Sequence, residues 1–316
     1  MFAGGLVTAR GLGRGTLAAR GRRWAGKGRF EKMLFLLPPV LSVLLLSFFP
    51  LIFSLALTFM SWDFAKLDAG LEFNGINNFL RLFNDARFLA TARNTLLYVL
   101  IGVPTQYLVA LGLALLVNQD IKGQKFFRIC FMMPLMISPV AVGFGVGRMM
   151  LDPTQGPVNA LLTLLGLRPV AWLSDPSVAL FSILLVEVWH FVPFAFIILL
   201  AGLQSLPQEP REAAAIDGAS YWQIFRYITF PMLLPITATL IFIRTIDLFK
   251  IIDVIAVMTG GGPGVSTESL TLYAVQVGLR NLDLGYAATL AWVLMAMVIA
   301  FAVVYLNALR NRVPEI

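Results

Sequence analysis

Seven ionisable residues lie inside long apolar runs: Arg148, Glu187, His190, Arg244, Asp247, Lys250 and Asp253. In hydrocarbon each costs about 2.5–3.5 kcal/mol on insertion scales unless it is paired or hydrated. Arg244, Asp247, Lys250 and Asp253 recur every third residue. That spacing places neighbours on adjoining turns of one helix and lets opposite charges pair. Such a stripe faces a partner helix or a wet cavity, not lipid. Two readings stay open: a salt-bridge ladder that holds helices together, or the polar wall of a substrate pathway. Arg244 and Asp247 lie deeper, whereas Lys250 and Asp253 are close enough to the outer end to snorkel. Upstream, Glu187, Trp189 and His190 share one mid-span stretch. An aromatic ring beside hydrogen-bonding groups suits a sugar, with its apolar C–H faces and many hydroxyls. Plain packing of Trp189 and an internally satisfied His190 are the bland readings. A proton relay through Glu187, His190 and Asp247 is the rival chemistry.

The elements that position these residues read as membrane helices. The chain is 59% hydrophobic and 13% charged, against about 25% charged in soluble domains. It has too little polar surface to cover a water-facing globule. Six apolar runs reach the ~20 residues a helix needs to cross a bilayer, at about 33–60, 94–117, 126–150, 178–202, 232–257 and 286–309. They do not alternate as barrel strands do. The fold class expected is an all-α integral membrane protein with six transmembrane helices. Basic residues set its orientation. With the N-terminus inside, fifteen lie on inner segments and six on outer loops, so the chain is expected N-in and C-in. The membrane-embedded body is then 33–309, between a basic, disordered cytoplasmic tail at 1–32 and a short cytoplasmic tail at 310–316.

Smaller features refine this picture. Pro50 should kink the first span. Residues 61–93 form an outer segment with a Phe73-Asn74-Gly75 turn, expected as a small packed cap. Gly143 and Gly147 make a GxxxG pair, read as packing within the chain. The glycine cluster from Thr259 to Gly264 is a tight outer connection. Gly21 to Gly28 nearly spells a phosphate-binding loop. Gly28 replaces its magnesium-binding hydroxyl and no strand–loop–helix context surrounds it, so the chain should not bind ATP. One cysteine, Cys130, and one histidine leave no material for a disulfide or a histidine-rich metal site. The first apolar run is too long for a cleaved signal. No nucleophile–base pair suggests an enzyme, and the charge pattern favours lipid over nucleic acid.

One hydrophilic stretch interrupts the spans. Pro207 and Pro210 favour a helix start, and Arg211 to Ile216 is strong helix-forming sequence. Asp217-Gly218 ends it. Ser220 and Gln223 have the spacing of a capping box that opens a second helix towards Pro231. Tyr221, Trp222 and Phe225 then have nowhere in the loop to hide. They rest on the membrane interface or fill a cleft in a partner.

Glu212-Ala213-Ala214, Asp217-Gly218-Ala219 and Ile228-x-Phe230-Pro231 resemble the EAA loop of permease subunits in bacterial binding-protein-dependent ABC importers. Phe230 stands where that family often has leucine. Trp189-x-x-x-Pro193-Phe194, Met258 to Glu268 and Gly285-Tyr286-Ala287-Ala288 look like the sugar-permease branch, similar to maltose- and glycerol-phosphate-type permeases. The resemblance covers roughly 30–310. It implies a type I importer permease fold in the bacterial inner membrane. Its implied partners are a second, homologous permease subunit, two ATPase subunits that carry ATP and magnesium, and an extracytoplasmic solute-binding protein. It implies that 207–231 is a cytoplasmic helix–turn–helix, with Glu212, Ala213, Ala214, Asp217 and Ala219 coupling to an ATPase and Gly218 at the bend. The substrate implied is a sugar, oligosaccharide, polyol or glycerol-phosphate. The substrate-pathway residues Glu187, Trp189, His190, Arg244 and Asp247 rest on physics alone. The rival functions are an ion-coupled secondary transporter and a non-transporting structural or signalling subunit.

Overall fold

A computed structural model describes residues 33–62, 70–119 and 122–310. The basic tail with its near-miss phosphate loop, and the last six residues, lie outside them. The chain divides into two compact units at Ala56/Leu57. Helix α1, Met33–Leu57, is strongly apolar and carries no charged residue. A wide π-type turn at Leu44–Phe48 sits just before Pro50, whose missing N–H breaks the regular ladder.

The part from Leu57 onward holds the core. Strands β1 (Met60–Ser61) and β2 (Glu72–Phe73) pair antiparallel. Helix α2, Asn77–Asn84, follows, so the outer segment is a small cap of hairpin and helix. Three helices form the centre: α3 (Ala86–Val117), α7 (Pro176–Ser205) and α10 (Phe230–Phe249). Their facing residues make two stacked apolar clusters. One includes Tyr98, Ile183, Leu184 and Leu248; the other includes Ala110, Ala114, Leu199, Leu233 and Leu240. Helices α12 (Leu270–Leu279) and α13 (Leu284–Arg310) pack on α2 through Leu82, Tyr273, Tyr286 and Leu290.

The third apolar run is not one helix. Residues Gln124–Met136 (α4) and Pro139–Met149 (α5) meet at a 95° bend. Pro139 disfavours helical backbone at Ser138, which is extended and caps α5 by accepting from the Ala141 N–H. The orphaned Ile137 carbonyl is taken by His190 Nε2 at 3.1 Å. Two short helices that hydropathy does not mark also appear, α6 at Pro157–Leu164 and α12.

The fifth run, expected as one helix over 232–257, is also divided. Helix α10 stops at Phe249, and α11 begins at Asp253 and ends at Met258. Hydroxyls on α12 and its cap explain the stop. Ser269 Oγ donates to the Ile251 carbonyl at 2.6 Å and Thr271 Oγ1 to that of Phe249 at 3.3 Å. Carbonyls that a continuing helix would use are satisfied from outside, so the chain can leave it. The charged stripe therefore does not run along one helix: Arg244 and Asp247 are on α10, Lys250 ends it and Asp253 starts α11. By length and apolarity, α1, α3, α7 and α13 can each cross a membrane, and the bent α4–α5 pair makes a fifth crossing if counted as one.

The glycine pair of the third run packs within the chain. A Cβ on Gly143 would stand 3.3 Å from Val257 Cβ, and one on Gly147 only 2.5 Å from Met258 Cγ, both on α11. Gly145 faces open space. Gly147→Val should therefore destabilise the α5–α11 contact by about 1–3 kcal/mol, the usual cost of overpacking, whereas Gly145→Ala should be nearly neutral. Thermal unfolding of the detergent-purified protein compares the two.

Candidate functional site

Three polar assemblies stand out, one inside the helix bundle, one on a loop and one on the cap. Inside, Arg244 on α10 is the hub. Its Nη2 lies 3.3 Å from Glu187 Oε1 on α7, and its Nη1 3.3 Å from Asp247 Oδ2. Its Nε donates to Gln106 Oε1 on α3 at 3.0 Å. The guanidinium carbon also sits 4.1 Å from the centre of the Phe191 ring. Glu187 and Arg244 are 4% and 2% exposed, so the pair is fully desolvated and depends on mutual hydrogen bonds to repay its burial. Asp247 differs: its side chain is 45% exposed, and Lys250 Nζ approaches it at 3.8 Å. The cluster thus has a buried root and an open tip.

The five residues expected along a pathway do not all meet. Glu187, Arg244 and Asp247 come together. His190 is buried, but its bonded nitrogen goes to the Ile137 carbonyl, which can only accept; Nε2 carries the proton, and buried Nδ1 has no partner among the described residues. Glu187, His190 and Asp247 are accordingly not chained by hydrogen bonds here. Trp189, two residues after Glu187, points to another face of α7, as the 3.6-residue period requires. It is 42% exposed and lines an apolar groove with Val109, Phe131, Pro134 and Val192. Gln106 and Phe191 were not singled out from sequence. Neither is ionisable, and only the packing of α3 on α7 and α10 brings them to Arg244.

The second assembly is the stretch 207–231. Helix α8, Glu209–Ile216, is followed by Gly218 at φ +82° and by α9, Tyr221–Ile224. The Ser220–Gln223 capping box is complete, with both reciprocal bonds formed. A π-type turn at Phe225–Thr229 links α9 to α10 just ahead of Pro231. Glu212, Ala213, Asp217 and Gly218 are exposed, while Ala214 and Ala219 are half-buried. Trp222 stacks on Phe225 at 5.4 Å between centroids yet stays 62% exposed.

A third cluster, on the cap, joins Glu268 and Tyr286, met in the sequence only as parts of the branch resemblance, to Asp85, Arg87, Asn94 and Tyr273, which carried no signal there. Asp85 caps α3 and also accepts the hydroxyls of Tyr273 at 2.6 Å and Tyr286 at 2.5 Å. Arg87 pairs with Glu268 at 2.6 Å, and Asn94 Nδ2 donates to the carbonyls of Val265 and Glu268. Together they fasten the glycine-rich connection onto α3. Burial pushes the Asp85 carboxyl up, but the two tyrosine hydroxyls and the Phe88 and Arg87 N–H groups outweigh it and hold it below the ordinary 3.8. A lowered folded pKa adds stability that is complete above the unfolded value and lost as pH falls through the folded one. Asp85→Asn should therefore lower the melting temperature by ~2–4 °C per kcal/mol lost at neutral pH, with the gap to wild type closing below pH 4, as thermal scans across pH would record.

A family model described as a binding-protein-dependent transport system inner membrane component matches residues 87–313. The chain belongs to that family. Among curated relatives, the permease is 35% identical over 241 residues to a trehalose/maltose transport system permease protein, MalF, of Thermococcus litoralis, covering 76% of this chain and 81% of that one. It is 34% identical over 296 residues to a sulfoquinovosyl glycerol transport system permease protein, SmoG, of Agrobacterium fabrum, covering 93% and 95%. Among solved structures it matches a chain of a bacterial ABC transporter involved in import of the acidic polysaccharide alginate, at 25% identity and TM-score 0.78, covering 93% of this chain and 100% of that one. The permease is thus an inner-membrane transport subunit with an ABC-importer permease fold, and not an enzyme.

Proposed function

We propose that this permease carries a sugar or related solute across the inner membrane as half of a two-permease pathway, driven by separate ATPase subunits and supplied by an extracytoplasmic binding protein. The substrate class, sugar, oligosaccharide, polyol or glycerol-phosphate, follows the relatives, which are named for trehalose/maltose and sulfoquinovosyl glycerol transport. A solved relative in the same fold is described in complex with an alginate pentasaccharide-bound periplasmic protein. Six spans, with both termini in the cytoplasm, are the arrangement proposed; the basic-residue bias supports it.

The observation that carries the reading is the exposed helix–turn–helix at 209–229. A soluble pair of helices between membrane helices, with aromatic groups left in the open, is a surface built to be covered. In this reading Glu212, Ala213, Ala214, Asp217, Gly218 and Ala219 transmit ATPase movement to α10. Along the pathway, Asp247 is the member that meets cargo. Glu187 and Arg244 stand behind it as a positioning pair, His190 pins the α4–α5 break, and Trp189 belongs to the apolar flank.

Cysteine at position 216 tests the docking surface, because Ile216 is 86% exposed on α8. In a Cys130→Ala background, Ile216→Cys should cross-link to a cysteine-bearing ATPase subunit, with a yield that changes when ATP is added. Cross-linking only to lipid-soluble reagents would place α8 on the membrane and remove the reading.

A further inference from the structure

Helix α2 of the cap is only partly covered. At about 3.6 residues per turn, Leu82, Phe79, Phe83, Ile76 and Leu80 make one continuous apolar arc, and Asn84, Asn77, Arg81 and Asn78 make the polar remainder. Leu82 and Phe79 pack among Tyr273, Tyr286 and Leu290. Ile76, Leu80 and Phe83 stay open, Phe83 with 79% of its surface exposed. The charge of the helix is directed away from them. Arg81 reaches Asp283 at 2.8 Å and lies over the Tyr286 ring at 3.8 Å. Asn78 Nδ2 donates to the Thr58 and Met60 carbonyls at 3.0 and 2.9 Å. So α2 is bolted to the chain around β1 and to α13, and an uncharged apolar sector remains uncovered among the described residues.

We propose that α2 is an interfacial anchor, with Ile76, Leu80 and Phe83 dipped into the lipid surface and Asn77 and Asn84 in water. Its level follows from α3, which Asp85 alone joins to α2. Helix α3 has 32 residues, about 48 Å at 1.5 Å each. That exceeds the ~30 Å hydrocarbon core and is close to the ~40–45 Å of a bilayer with its headgroup layers. The start of α3, and α2 with it, therefore stands at headgroup level. Apolar surface continues from there: Leu89, in the first turn of α3, and Leu96 and Leu100 form one exposed stripe. Arg93, exposed between them, can extend to the headgroups. A helix at this level meets protein, lipid and water on three sides, and α2 has one sector for each. The leaflet is the outer one in the orientation proposed above. The placement needs α3 to cross the bilayer and does not depend on the cargo or on coupling. Because α2 is bolted to β1 and α13, its hold on lipid fixes the depth of the cap while the spans move.

The test uses the complete transporter, with cysteine-free partner subunits, in vesicles of phosphatidylethanolamine and phosphatidylglycerol. In a Cys130→Ala background, Phe83→Cys and Asn77→Cys each carry a nitroxide spin label. Power-saturation spectroscopy then compares relaxation by oxygen, which concentrates in lipid, with relaxation by a water-soluble nickel chelate. The Phe83→Cys label should respond more to oxygen and the Asn77→Cys label more to nickel, a reversal between two sides of one short helix. Both responses should stay unchanged when ATP with magnesium, or the binding protein, is added. Leu80→Cys gives the same reading if the Phe83→Cys complex does not assemble. A nickel preference at Phe83→Cys puts that face in water and overturns the proposal. Shielding from both reagents before the binding protein is added overturns it in favour of a second permease subunit as the cover. Shielding that appears only with the binding protein makes the sector a docking face for that protein, and a shift from oxygen to nickel on adding ATP removes the anchoring role.

Discussion

Gly218→Val is expected to abolish ATP-driven uptake and weaken ATPase docking while leaving the chain inserted. The physics is confined to the backbone. Gly218 sits at φ +82°, where an L-residue pays about 1–2 kcal/mol and a β-branched one more. A Cβ there would meet no atom within 4 Å, so the loss would not come from a clash with a neighbour. The turn ends α8 with paired bonds: Ala219 N–H donates to the Ala214 carbonyl at 3.0 Å and Gly218 N–H to that of Ala215 at 3.1 Å. This is the Schellman arrangement, which needs a left-handed residue at the position Gly218 fills. Valine would pull the backbone out of that region, unmake both bonds and redirect α9 relative to α8. Gly218→Asn is the control, since asparagine tolerates the left-handed region; it should keep most of the uptake. Normal uptake in the valine variant, measured with labelled sugar in cells, would remove the coupling role.

Arg244→Met should cost the assembled complex. It leaves Glu187 buried without its cation, and breaking one side of a buried pair costs ~3–5 kcal/mol. The Gln106 carbonyl oxygen loses its donor in the same step. Replacing both charges with apolar groups of similar volume is often neutral or stabilising, so Arg244→Met with Glu187→Met should restore assembly. If the pair only positions Asp247, the restored complex also recovers part of its uptake. Asp247→Ala, by contrast, should lower uptake in a complex that assembles normally. A double variant that assembles fully yet transports nothing would put Glu187 and Arg244 in the pathway itself.

What could be read in advance divides along a physical line. Local signals held: Ser220 and Gln223 are three residues apart, and their capping box needs no partner beyond the turn. The long apolar runs became helices because lipid leaves the backbone no other way to satisfy itself. The break in the third run was legible, because Pro134 and Pro139 mark an irregular helix there, with His190, 53 residues from Ile137, only completing it. The break in the fifth run was hidden because its cause is distant: the end of α10 depends on Ser269 and Thr271. The Asp85 cluster was hidden for the same reason, with Tyr273 188 residues away. Helix α12 did not register because a ten-residue helix is too short to be a span. The even spacing from Arg244 to Asp253 suggested one charged stripe, but periodicity presumes an unbroken helix. Trp189 shows the converse: neighbours in sequence can serve different faces.

The central claim is that force enters this permease from a partner ATPase through 209–229. Uptake by reconstituted proteoliposomes tests it most directly, comparing the permease chains alone with the same chains plus ATPase and binding protein. The account predicts accumulation of sugar only with all components and ATP, unchanged by an uncoupler. Uptake by the permease chains alone, collapsing when the ion gradient is discharged, would contradict it.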